Sequence, residues 1–166
     1  MEWWSSSRSG SRADRSASGR HDCNTLPVAS IRRSQHIDAP ADRVWDLVGD
    51  PARIAEWFPG IVDAIVDGDE RTITLGSGIT LPERIITTDP ITRRFQYEVT
   101  GGLFRHHLGT IDVFDLGDGT SLVSYSTDAE PAVMALVIGG AAGAGLRAVK
   151  ERLEASTGST TTDGAD

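Results

Sequence analysis

The chain of 166 residues holds one cysteine, Cys23, so no internal disulfide can form. No CxxC spacing or Cys/His cluster offers a metal site, and a reducing cytoplasmic compartment is the expectation. Basic surplus is lacking as well: 16 Lys and Arg stand against 24 Asp and Glu, a net charge of −8. Duplex binding needs the opposite balance, and no nucleic-acid partner is expected. Long apolar runs are scarce. The longest, Ala132 to Leu146, falls short of the ~20 residues that cross a bilayer, so no membrane insertion is expected. Near the N-terminus, Trp3 and Trp4 run straight into serines instead of a signal-peptide apolar core. Absent too are a GxSxG nucleophile elbow and HxxxH metal spacing.

Polar low-complexity sequence brackets the chain. Residues 1–26 are Ser/Arg-rich, with Arg8, Arg12, Arg15 and Arg20 balanced by Glu2, Asp14 and Asp22. Residues 156–166 are Ser/Thr/Gly-rich. Neither end has the apolar side chains that offset chain entropy, so both are predicted to be disordered tails around one domain at 27–155. Within it, "VASIRRSQHID" reads as a strand. Two short helices follow, "PADRVWDLVGD" with Pro40 in its first turn, and "DPARIAEWFP" capped by Asp50. Six further strands are marked by turn signals, with "DGDE", "DP" and "GDG" among them. A long helical pattern closes the domain from Pro131 to Glu154, and Asp128 and Glu130 are placed to cap and charge its start. This order predicts an α+β fold, an antiparallel sheet covered on one face by the last helix.

The helix contains "GAGLRA", which matches the GxGxxA of a dinucleotide site. Such a site also needs a βαβ unit with an acidic residue about 20 positions on, and the 21 residues after Gly145 hold no second strand to complete that unit. No cofactor is therefore predicted. Gly139, Gly140, Gly143 and Gly145 instead suggest close approach to the helix backbone by a strand, another helix or a ligand, the last with a cavity under the helix.

"IDAPADRVWDLVGDPARIAEWFPG", "PERIITTDPITRRFQYEVTGG" and "HLGTIDVFDLGDGTSLVSYSTDAEP" together resemble the SRPBCC superfamily. This is the START-like, birch-pollen-allergen-like and polyketide cyclase/dehydrase group, and the likeness is to its actinobacterial members. The resemblance runs from Ala29 to about Glu154. It implies a helix-grip fold, a curved seven-stranded antiparallel sheet wrapped around the C-terminal helix with an apolar cavity between them. Members bind lipids, sterols, polyketides or hormones, and some catalyse cyclisation or dehydration. "PERI" and "SYSTDAEP" also resemble strands of the plant abscisic-acid receptors. The lysine that holds a hormone carboxylate there is missing from "IVDAIVDG", so receptor function is not implied.

Strand alternation assigns the cavity wall independently. Phe95, Tyr97 and Val99 share an inward face, opposite Arg94, Gln96 and Glu98. His107, Gly109 and Ile111 point inward, whereas His106 and Asp112 point out. Glu83 and Ile85 face in, unless Pro82 marks a bulge that shifts the register. Val123 and Tyr125 complete the sheet's share. Trp57, Ile138, Ala142 and Leu146 are the candidates from the helices. Glu83, His107 and Tyr125 thus become polar anchors in an apolar wall, as in small-molecule sites. Glu83 and His107 are expected to satisfy each other or bound water, while Arg105 sits near the mouth. The expected partner is a small hydrophobic molecule, carried or sensed. One alternative is a cyclase or dehydratase in which His107 and Glu83 act as acid and base and Tyr125 donates to an oxyanion. Another is a protein-interaction module, disfavoured by the polar outer face of Arg94, Gln96, Glu98 and Asp112.

Overall fold

Seven segments that alternate apolar and polar residues become, in the computed structural model, seven strands of one sheet. The structure describes residues 28–158, and the tail expected at 1–26 lies outside them. In chain order the elements are β1 (Ala29–Ile37), α1 (Ala41–Val48), a 3-10 helix (Pro51–Glu56) and β2 (Ile61–Asp67). They continue with β3 (Glu70–Leu75), β4 (Thr80–Asp89), β5 (Arg94–Val99), β6 (His106–Asp115), β7 (Ser121–Glu130) and α2 (Ala132–Gly158). Strand order is β1-β7-β6-β5-β4-β3-β2, with every neighbouring pair antiparallel. This is the helix-grip architecture. Its one crossover is the return of β7 to pair with β1.

The short helices differ slightly from the sequence expectation. Pro40 is the N-cap of α1 and not part of its first turn, because its ψ of 144° is extended. Ala41, Val44, Leu47 and Val48 form the buried face of that helix. Asp50 caps the second segment as expected, its carboxylate accepting from Ala52 N at 2.9 Å. With only six residues, the segment winds as a 3-10 helix, the form common in short pieces.

The register keeps Glu83 inward, as expected, and one capping expectation is corrected. Pro82 causes no bulge: it stays opposite Thr72, and its carbonyl accepts from Thr100 N at 2.9 Å. The irregularity falls later, between Ile85 and Thr87 against β5. Asp128 and Glu130 do not cap the last helix, because both belong to β7. Glu130 instead pairs with the exposed Arg105 at 2.9 Å, so that arginine is held at the surface.

The outer face of the sheet is laced by polar pairs. Arg94 meets Asp112 at 2.6 Å, Arg84 meets Glu98 at 2.5 Å, and Gln96 bonds both Thr87 and Thr110 at 3.1 Å. Single surface pairs contribute little, but together they leave the centre of this face polar.

Helix α2 packs on β1 and β7, burying Ala135, Ala142, Leu146, Val149 and Leu153. Glu56 holds it to the 3-10 helix by bonding both Arg53 and Arg152. The helix runs to Gly158, three residues into the expected tail. By length and composition its stretch Ala132–Ser156 could cross a bilayer, which the shorter run counted from the sequence missed. In this fold the same stretch is the helix gripped by the sheet.

Of the alternatives for the α2 glycines, close approach by other segments holds at Gly139 and Gly145. A Cβ at Gly139 would lie 2.6 Å from Ile31 Cγ2 of β1, and one at Gly145 would lie 3.2 Å from the Trp57 ring. These positions are vacated for side chains of the protein itself. Gly140 is different, with nothing within 4 Å of its would-be Cβ. Gly140→Ala is expected to raise unfolding free energy by about 0.5–1 kcal/mol through helix propensity. Gly139→Ala is expected to lower it by about 1–3 kcal/mol through overpacking against β1. Urea denaturation of both variants checks the pair of signs.

Candidate functional site

Between the sheet and α2 lies a cavity of about 570 Å³. Its apolar wall draws on every layer of the fold. Ile54 comes from the 3-10 helix, Phe58 from the turn after it and Ile61 from β2, with Ile73 and Leu75 from β3 and Leu81 from β4. Val99 ends β5, Leu103 and Phe104 follow it, and α2 gives Met134, Val137, Ile138 and Ala141. Those four recur at i, i+3, i+4 and i+7, one face of a helix. The mouth is apolar too, since Ile79, Leu103 and Val137 line the cavity yet remain exposed.

Four larger polar residues reach this wall: Glu83, Tyr97, His107 and Tyr125. Glu83 does not meet His107, as the sequence led one to expect. Its partner is Arg71, directly opposite on β3, whose Nε donates to Glu83 Oε2 at 2.6 Å. Both are buried, Arg71 at 2% exposure and Glu83 at 4%. The guanidinium also donates to Pro51 O at 3.2 Å. Its carbon lies 5.2 Å from the Phe95 ring centre and 4.8 Å from that of Tyr97, within cation–π range. Burial pushes the Glu83 carboxyl above the usual range, and the charge of Arg71 pulls it back. Arg71 was overlooked in the sequence, although its alternation with Ile73 and Leu75 was the available signal.

Tyr97 and Tyr125 share a short hydroxyl–hydroxyl hydrogen bond, although β6 lies between their strands. Gly109, opposite Tyr97 on β6, makes this possible. A Cβ there would sit 2.3 Å from Tyr97 Cε1, so the ring occupies the space that a side chain would take. Burial raises both phenols, that of Tyr125 to about 12, and both stay protonated at neutral pH.

His107 is buried and its orientation is set by the backbone. The paired register of β5 with β6 ends at Tyr97 and Gly109, and the next inward amide, Val99 N, donates to His107 Nδ1 at 3.1 Å. Nδ1 is therefore the acceptor, and in the neutral ring the proton sits on Nε2, 3.4 Å from Thr127 Oγ1. Burial first, then the neighbouring His106, lowers its pKa from 6.5 to about 4, against a small opposing pull from Asp128. Phe104 and Tyr97 flank the ring at 5.1 and 5.3 Å.

Of the wall residues assigned from sequence, Glu83, Tyr97, Val99, His107, Tyr125 and Ile138 line the cavity. Phe95, Ile111 and Val123 point inward as expected but are sealed in the core. Ile85 packs against that core, and Gly109 is covered by the Tyr97 ring. Ala142, Leu146 and Trp57 also belong to the core. For the two helix residues the error is rotational, because the cavity-facing set passes through Ala141. Phe58, Leu103, Phe104, Met134, Val137 and Ala141 were not identified from the sequence. Among the described residues, no group of three His, Cys, Asp or Glu is arranged to hold a metal.

The sequence profile of a family described as polyketide cyclase/dehydrase and lipid transport matches residues 28–155. No curated protein matches the chain significantly. Among solved structures it resembles XoxI from Bacillus cereus, with 25% identity, TM-score 0.68, and coverage of 75% of this chain and 94% of that one. It also resembles the di-domain ARO/CYC BexL of the BE-7585A biosynthetic pathway, at 22% identity and TM-score 0.66, covering 77% of this chain and 47% of that one. Norcoclaurine synthase from Thalictrum flavum, solved with dopamine and hydroxybenzaldehyde, is similar at 18% identity and TM-score 0.62, covering 78% of this chain and 88% of that one. The last two likenesses are of fold alone.

The buried imidazole yields a pH dependence. Because its folded pKa is depressed to about 4 from 6.5, an unfolded chain binds the proton first as pH falls. The stability linked to His107 is thus complete above about pH 6.5 and is lost towards about pH 4, on the order of 3 kcal/mol at most. Urea unfolding at neutral and acid pH should show a smaller acid-induced loss in His107→Gln than in the parent. Identical losses would contradict the assignment.

Proposed function

The chain belongs to the polyketide cyclase/dehydrase and lipid transport family of the SRPBCC superfamily, and on that premise we propose that it holds a small hydrophobic molecule in the cavity under α2, as a carrier or a sensor. The observation that carries this reading is the cavity itself. Its ~570 Å³ fall within the roughly 300–1,000 Å³ of small-molecule sites, and its wall has the usual composition, mostly apolar with a few polar groups. The exposed Ile79, Leu103 and Val137 at the mouth offer an apolar route for such a molecule to enter.

The acid–base alternative asks His107 and Glu83 to exchange protons with a substrate. The lone pair of His107 Nδ1 is taken by Val99 N–H, and Nε2 already carries the proton. Glu83 is tied to Arg71. These engagements favour holding a ligand over transferring its protons. The small molecule is lipid-, polyketide- or isoprenoid-like, and the work of the protein is to keep it from water.

Native mass spectrometry of protein purified from its own host is expected to show a small-molecule adduct that disappears on denaturation. Ala141→Phe, which places a ring in the cavity from α2, is expected to lose the adduct while keeping the parent circular dichroism. Parent protein that is reproducibly empty, and whose melting temperature is unmoved by neutral lipids or aromatic ketones, would overturn the proposal.

A further inference from the structure

The polar groups of the cavity are unequal in what they can offer a ligand. Among the described residues no Lys or Arg lines it. Arg71, the buried cation beside it, lies over Phe95 and Tyr97 and is matched by Glu83. The carboxylate of that pair, and not its cation, reaches the wall. His107 adds no positive charge near neutral pH, since burial holds it unprotonated down to about pH 4.

The tyrosine pair has a capacity its own contacts do not use. When one phenol donates to another, the acceptor's own O–H remains free to donate to a third group. Tyr97 and Tyr125 share one such bond, and both line the cavity. Neither ionises near neutral pH, so the spare proton is a permanent donor. His107 Nε2–H lies in the same wall, with a distant bond to Thr127 Oγ1 at 3.4 Å. The site therefore presents donors without a cation, beside a carboxylate.

Resting on the ligand-binding reading above, we propose that this cavity selects a neutral molecule bearing a carbonyl-type oxygen, seated against the Tyr97–Tyr125 hydroxyls, and rejects carboxylates. A ligand carboxylate would have to shed its water with no free counter-charge to receive it, because the buried guanidinium is already held by Glu83. A ketone, aldehyde or ester oxygen sheds less and receives the free phenol proton in return.

Fluorescence titration with three naphthalene probes tests this. The neutral ketone 6-propionyl-2-(dimethylamino)naphthalene should bind at least about tenfold more tightly than 6-(dimethylamino)-2-naphthoate, the carboxylate of the same ring system. N-phenyl-1-naphthylamine, neutral and without a carbonyl, reports on the apolar cavity alone. In the double variant Tyr97→Phe/Tyr125→Phe, affinity for the ketone should fall by about tenfold, the worth of one such hydrogen bond, with the naphthylamine unaffected. Either single variant leaves one hydroxyl free and should keep the ketone preference. Naphthoate binding as tightly as the ketone would overturn the proposal, and so would a folded double variant that keeps the parent's ketone affinity. In both cases naphthylamine binding would leave the cavity reading standing, whereas failure of all three probes would remove both. Should the double variant not fold, the ketone-to-carboxylate ratio of the parent still decides.

Discussion

A buried arginine–glutamate pair, its guanidinium against two aromatic rings, constrains much of this molecule. Arg71 and Glu83 face each other across β3 and β4, and both are buried. A buried pair contributes little net stability, but losing one partner strands the other's charge, at a cost of about 3–5 kcal/mol. A one-residue slip between the strands would turn one of the two to the outer face, so the pair fixes that register. Through the Pro51 carbonyl it also anchors the 3-10 helix, and with it Ile54 and Phe58 of the cavity wall. Its cationic face supports Tyr97, which in turn reaches Tyr125.

The chemistry of the wall follows from how its polar groups are engaged. Nδ1 of His107 takes a backbone proton, Glu83 takes a guanidinium proton, and the two phenols take each other. Burial removes the means to change charge near neutral pH from three of the four. Such a wall distinguishes ligands by shape, dryness and a few fixed dipoles, not by exchanging protons.

The strands were legible in the sequence because each has a wet face and a dry face, and a period of two shows in a few residues. That is why Phe95, Tyr97, His107 and Tyr125 were assigned inward correctly. Helix α2 was harder. Its cavity side, through Met134, Val137, Ile138 and Ala141, and its sheet side, through Ala135, Ala142 and Leu146, are both apolar. Over residues 132–146 no polar side chain marks the phase, so Ala142 and Leu146 were placed about one position off. The glycines left alternatives open for a related reason, since a missing side chain announces a close neighbour without naming it. Ile31 and Trp57 are those neighbours, on segments distant in sequence. Arg71 escaped because an arginine in an alternating strand reads as solvated, and only its phase with Ile73 and Leu75 dissents. The partner of His107 could not be read from spacing at all, because it is a backbone amide that donates to the ring.

The bare backbone of Gly109 beneath the Tyr97 ring joins two positions into one quantity of volume. Neither can grow unless the other shrinks, because the ring already fills the place of the missing side chain. In kindred chains residues 97 and 109 should thus drift as a pair, a bulky partner at one always answered by a small one at the other. A lineage wanting a roomier or tighter chamber could trade atoms across this strand pair while leaving the rest of the barrel-like wall untouched.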